Sequence, residues 1–126
     1  GTDVAQYFSN RNGSHQSSIG AYVTTSTYHG KYDLALRLEG KEFSNSNALS
    51  RGIVMHAANY ATEKFLKMNG RLGRSYGCPA LPFDQFDEIV QLIKEGSCLY
   101  IFYPDASYQS RSNLIKVDQE TISRGL

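Results

Sequence analysis

The sequence predicts a mainly β domain with two short helices, and three features predict it. The run "GAYVTTSTY", Gly20 to Tyr28, is dense in β-branched and aromatic residues and suits the pleated surface of a strand. After a "HGK" turn, Tyr32, Leu34, Leu36 and Leu38 alternate with Asp33, Ala35, Arg37 and Glu39, a period that gives one buried face and one wet face. Helix signals, by contrast, occur in only two short stretches.

Taken in order, residues 9–18 ("SNRNGSHQSS") are polar, with Asn12-Gly13 as a turn dipeptide. The first two strands form a hairpin with Gly30 at its turn. A polar loop, "GKEFSNSNALS", leads to "RGIVMHA", where Ile53-Val54-Met55 reads as a strand buried on both faces and closed by His56. Thr62 suits the cap of a helix through "EKFLKM", stopped at Asn69-Gly70. Asp84 is the expected N-cap of a second helix, in which Phe86, Ile89, Val90 and Ile93 share a face and Gly96 sits where a C-terminal glycine belongs. "CLYIFY", Cys98 to Tyr103, reads as a last strand ended by Pro104. Residues 105–126 are polar, with a small apolar cluster at Leu114, Ile115 and Val117, and receive no element. The 126 residues make a single domain, a length that buries roughly two-thirds of the unfolded surface.

Composition removes several functions. A net charge of +1 with interspersed signs argues against a nucleic-acid surface, which needs a basic face. No apolar run approaches bilayer length, so no membrane insertion is expected. No His or Cys pair has zinc-site spacing, so no metal is expected. The chain opens "GTDVAQYFSN", with no initiator Met or targeting pattern, as a trimmed or processed chain would.

The chemistry is concentrated in "GRLGRSYGCPALP", Gly70 to Pro82, a loop that places Cys78 between Gly77 and Pro79. A thiol attacks as thiolate and needs a base, a cation or a helix N-terminus beside it. Pro79 suits a first helical position, which predicts Cys78 at an N-cap with a lowered thiol pKa. Gly77 lets a substrate carbonyl approach the backbone, so the N–H groups about Gly77 and Cys78 are candidate oxyanion donors. Of the three histidines, His15 and His29 lie in polar turns and read as solvated, whereas His56 ends a buried strand and is the candidate base. The plain alternatives are a structural thiol and a satisfied core histidine. Cys98, among strand residues, reads as core packing. A Cys78–Cys98 disulfide, which needs Cα atoms within roughly 7 Å, stays open.

"GIVMHAANY", "NGRLGRSYGCPALP" and "GSCLYIFYP", with "GSHQSSIGAY" and "GKYDLALRLEG", resemble the murein L,D-transpeptidase catalytic-domain family over roughly residues 7–104. The resemblance implies a β-sandwich-like domain of the bacterial cell envelope, periplasmic or extracellular, here lacking N-terminal strands that the family carries. It implies a cysteine that forms a thioester with a peptidoglycan stem peptide and passes it to an amine, making a cross-link, without a cofactor. Carried over, Cys78 is the nucleophile, His56 the base, and the Gly77 and Cys78 backbone faces the oxyanion. Arg71, Arg74, Ser75 and Tyr76 are candidate substrate-binding residues, the arginines for a carboxylate. The chain departs from the family at Ala57, where glycine is usual, at Tyr76, where a second histidine is usual, and at Ala80, where Arg or Asn is common. The alternatives are an L,D-carboxypeptidase or other cysteine amidase, releasing the acyl group to water, and an inactive wall-binding module.

Overall fold

A computed structural model describes residues 4–115. Five strands form one sheet in the order β4-β3-β2-β1-β5: β1 Gly20–Gly30, β2 Asp33–Gly40, β3 Val54–Ala57, β4 Ala80–Leu81 and β5 Cys98–Ile101. The hairpin turns at Gly30, which pairs with Asp33, and an irregularity between Thr24 and Thr27 shifts its register. β3 runs antiparallel to β2, while β4 runs parallel to β3. A parallel neighbour needs a crossover, and a 3-10 turn at Asn59–Ala61 with helix α1, Glu63–Asn69, lies in it. Thr62 caps α1 by accepting from the Phe65 N–H, and Gly70 ends it at φ 75°.

Helix α2, Phe83–Ile93, turns Phe86 and Val90 onto Leu36, Met55 and Ala57 as one core cluster. Its start differs from expectation: Pro82 is the N-cap, with no side-chain hydrogen bond, and Asp84 falls in the first turn. Its end differs as well. Lys94 is the C-cap, and Gly96 at φ 120° follows in a turn locked to Thr24. The buried Thr24 hydroxyl donates to the Ile93 carbonyl at 2.5 Å and accepts from the Ser97 N–H at 2.8 Å. A second cluster gathers Tyr22, Leu38, Ala48 and Ile53.

Two expectations about faces are corrected. Ala35 is fully buried, not wet, because it pairs directly with His56 on a face that is itself covered. Cys98 is exposed, not core, because among the described residues β5 pairs with β1 alone and lies at the sheet edge. The polar tail supplies a third helix, α3, Ala106–Arg111, whose first turn Asp105 caps through the Tyr108 N–H at 2.8 Å. Leu114 is exposed and Ile115 half-buried, while Val117 lies outside the described residues.

Glu42 docks α3. One carboxylate oxygen accepts from the Ala21 N–H at 2.8 Å and the Tyr108 hydroxyl at 2.6 Å, and the other accepts from Ser112. Burial would raise its pKa, but these donors outweigh it and hold it below the usual carboxylate range, while burial and the Glu42 bond push the Tyr108 phenol up. Hydrogen bonds to a charged group contribute about 1.5–3 kcal/mol each, so Glu42→Ala is expected to lose roughly 3 kcal/mol in urea unfolding at neutral pH. A depressed folded-state pKa gives stability that is present above the unfolded carboxylate pKa and lost as pH falls through the folded one. Wild type therefore converges on the variant in acid, and a constant difference between them would contradict this role.

Candidate active site

Cys78 reaches the sheet through β4. The His56 N–H donates to the Pro79 carbonyl at 3.2 Å, and the Ala58 N–H to Leu81 at 2.9 Å. Pro79 thus leads into a strand and not a helix, so the expected N-cap at Cys78 is absent. The Cys78 sulfur accepts from the Val54 N–H at 3.5 Å, and its thiol donates weakly to the Gly52 carbonyl at 3.8 Å. Burial is the main influence on the thiol and pushes its pKa up, with the Val54 N–H and the Arg51 charge pulling the other way. The lowered thiol pKa expected from the sequence is therefore corrected to a raised one. Both cysteines are free thiols, so no disulfide joins them.

His56 lies within β3, one residue short of its end, and is only 1% exposed. Strand alternation puts Met55 and Ala57 toward α2 and turns His56, with Val54, to the opposite face, whereas Cys78 packs against the cluster of Tyr22, Leu38 and Ile53 on the side of Leu36 and Met55. The imidazole Nδ1 lies 3.1 Å from the Ala57 carbonyl oxygen, which can only accept, so Nδ1 carries a proton, and in the neutral ring the lone pair is on Nε2. Tyr32, at the hairpin tip, stacks on the ring with centroids 4.1 Å apart and planes 11° from parallel. Among the described residues no hydrogen bond joins His56 to Cys78.

The turn before Cys78 is over-determined. Gly77 has φ 102°, and a Cβ there would lie 2.6 Å from the Gln16 carbonyl. The Ser17 hydroxyl donates to the Gly77 carbonyl at 3.0 Å, and the Ser75 hydroxyl to the Cys78 carbonyl at 2.5 Å. Fixing the Gly77 carbonyl fixes its peptide plane, so the trans-related Cys78 N–H points away from Ser17. Arg71, Arg74, Ser75 and Gly77, with Tyr7 and His15, line a groove of about 480 Å³. Tyr76 turns outward and stacks on His15, with centroids 4.2 Å apart. His15, expected to be solvated, is exposed yet belongs to this groove. His29 is solvated as expected, but it lies in β1 opposite Leu34 and not in the turn, paired with Asp33 at 3.0 Å.

The sequence model of the L,D-transpeptidase catalytic domain matches residues 1–102. The chain belongs to the L,D-transpeptidase catalytic domain family. Comparison with curated proteins and with solved structures finds no match. L,D-transpeptidase domains are enzymes of the bacterial cell wall that act on peptidoglycan, and the mainly β fold around one sheet is consistent with theirs. No helix among the described residues is long and apolar enough to cross a membrane.

Sequence reading misses Tyr32 as a cover for the imidazole and Arg51 altogether. Alternation puts Tyr32 on the buried face of the hairpin, although its place beside the turn could have indicated a freer position. Tyr60 is missed too. Gly73 leaves no room for a Cβ against its side chain and donates its N–H to the Tyr60 carbonyl at 2.9 Å, which explains the second glycine of "GRLG".

The thiols should separate by reactivity. With a chromogenic disulfide at pH 7, exposed Cys98 is expected to react first and Cys78 slowly, with Cys98→Ser removing the fast phase. Because the Cys78 pKa is raised, its thiolate fraction at neutral pH is reduced, and its rate should climb about tenfold per pH unit until the thiol titrates. A fast Cys78 phase with a plateau near pH 6 would contradict this.

Proposed function

We propose that this chain is a cysteine acyltransferase of peptidoglycan, with Cys78 as nucleophile and His56 as base. One observation carries the reading: the β3–β4 pairing holds the Cys78 sulfur against the backbone of the strand that bears a buried imidazole whose Nδ1 faces the Ala57 carbonyl. The sulfur attacks the carbonyl between an L-configured centre and the terminal D-residue of a stem peptide, and its proton passes to His56. The C–S bond forms, the amide C–N bond breaks, and the leaving amine takes the proton back. A neighbouring stem's amine then attacks the thioester: the new C–N bond forms, the C–S bond breaks, and the amine's proton passes through His56 back to the sulfur. The Cys78 N–H, held in its plane through Ser17, supports the developing oxyanion. Arg71 and Arg74 in the groove would bind substrate carboxylates, with Ser75 holding the turn and Tyr76 at its outer side. No step calls for a cofactor. The site of action is the cell envelope, periplasmic or extracellular.

The raised thiol pKa and the missing Cys–His hydrogen bond favour a second reading, a wall-binding module that holds stem peptides without acylation. Incubation with a carbapenem, followed by intact-mass measurement, separates the two. An acyltransferase gains the full carbapenem mass, as the sulfur opens the lactam C–N bond and the ring nitrogen takes the proton. Cys78→Ser abolishes the adduct. His56→Ala is expected to slow it by about 100-fold or more, the scale of general-base catalysis. No adduct on folded protein with a titratable Cys78 would overturn the acyltransferase reading. With a stem tetrapeptide and an amine, cross-linked product indicates transpeptidation, and free tripeptide indicates a carboxypeptidase or amidase.

A further inference from the structure

Arg51 stands at the junction of every segment that shapes the Cys78 turn. One guanidinium nitrogen donates to the Ser9 carbonyl at 2.9 Å. The other donates to the Gln16 carbonyl at 2.6 Å and the Ser14 hydroxyl at 3.1 Å. All three partners lie in the strap 9–17, and the same Gln16 carbonyl backs onto Gly77. A Cβ on Gly77 would stand 3.4 Å from the guanidinium itself. Along the chain, Arg51 directly precedes Gly52, Ile53 and Val54, and Gly52 and Val54 supply the two backbone groups in contact with the sulfur. The guanidinium is half-buried, its acceptors are all neutral, and no carboxylate pairs with it among the described residues. An uncompensated cation fixed in a fork beside a thiol favours negative charge there.

We propose that Arg51 is a positioning residue for Cys78: it clamps the strap 9–17 behind the Gly77–Cys78 turn and holds a fixed positive charge beside the sulfur. The inference rests on Cys78 being the nucleophile for its consequence in acylation, but its geometry stands without that. The other ionisable groups about the sulfur are the Tyr22 phenol from β1 and the Tyr60 phenol from the 3-10 turn, with the His56 imidazole borne by the strand whose Val54 N–H meets the sulfur. None of the three supplies a permanent cation.

The test uses Cys98→Ser protein, in which Cys78 is the one remaining thiol. Iodoacetamide alkylation is followed against pH, with Arg51→Met and Arg51→Lys beside the parent and melting recorded for each. Arg51→Met is expected to move the alkylation midpoint upward by about one pH unit, slowing alkylation at neutral pH about tenfold. Arg51→Lys keeps the charge but not the fork, so it should recover most of the midpoint while still lowering the melting temperature. A midpoint unmoved in folded Arg51→Met, or moved equally by both substitutions, would overturn the proposal. Should neither variant fold, the side-chain nitrogen NMR signals of Arg51 in the parent decide. They must shift with Cys78 ionisation and stay flat when Cys78→Ser is added; a flat signal in both overturns it. A shifted midpoint without any carbapenem adduct would keep Arg51 in this role and remove the acyltransferase reading.

Discussion

The two-residue pairing of β4 with β3 is the constraint on which the site depends. It is a parallel contact of only two register pairs, His56 with Ala80 and Ala57 with Leu81. Pro79 has no N–H, so its carbonyl alone opens the ladder, and it accepts from the backbone of His56 itself. A pairing this short is held from its C-terminal side: Leu81 packs on the core cluster, and α2 starts two residues later and buries Phe86 and Val90 in that same cluster. Burying an aromatic or aliphatic side chain contributes about 1.5–3 kcal/mol, more than the net value of about 1 kcal/mol for a single backbone hydrogen bond. The helix therefore anchors the strand, and the strand sets the approach of the thiol to the sheet.

The hairpin and β3 were legible because each rests on a local regularity: alternation in residues 32–39 and an apolar run at 53–55. Burial then followed from partners that the alternation does not record. Ala35 reads as wet by period, yet its register partner is His56, and the apparent solvent face is there the face of a buried imidazole. Cys98 reads as core by composition, yet sheet order leaves its strand at an edge. Pro79 misled for a different reason. Its fixed φ suits the first turn of a helix and the entry to a strand equally, and only the waiting edge of β3 decides between them. Cys78 and His56 stood out in the sequence, whereas the contacts of Arg51 join segments 35 to 42 residues apart and leave no local pattern.

Two charged side chains close the ends of the irregular segment between β2 and β3. Glu42 near its start and Arg51 at its end are each held by uncharged groups. Glu42 receives α3 and the start of β1; Arg51 receives the strap 9–17. Asn10 ties strap and segment together, donating to the Phe43 carbonyl at 3.1 Å and accepting from the Asn47 N–H at 3.0 Å. Partly burying a charge is costly unless directed hydrogen bonds offset it, and here each charge gathers three. The benefit is positional: stretches without a ladder of their own are fixed against the sheet.

The raised thiol pKa bears on how the proposed chemistry would begin. A preformed thiolate–imidazolium pair requires the thiol to ionise readily at rest, and burial opposes that here. The Nδ1 contact to a carbonyl keeps His56 in the tautomer whose Nε2 can take a proton. In the proposed step the thiol would hand its proton to His56 only as the carbonyl is attacked. Water is excluded from a fully buried imidazole under the Tyr32 ring, so an ion pair formed in the proposed step would be felt strongly by any fixed charge nearby. Val54 N–H and Arg51 both oppose the effect of burial on the sulfur, and both act more strongly on the ionised sulfur than on the thiol. Such groups favour the transition state over the resting state, which is the condition for them to speed the reaction and not merely to bind.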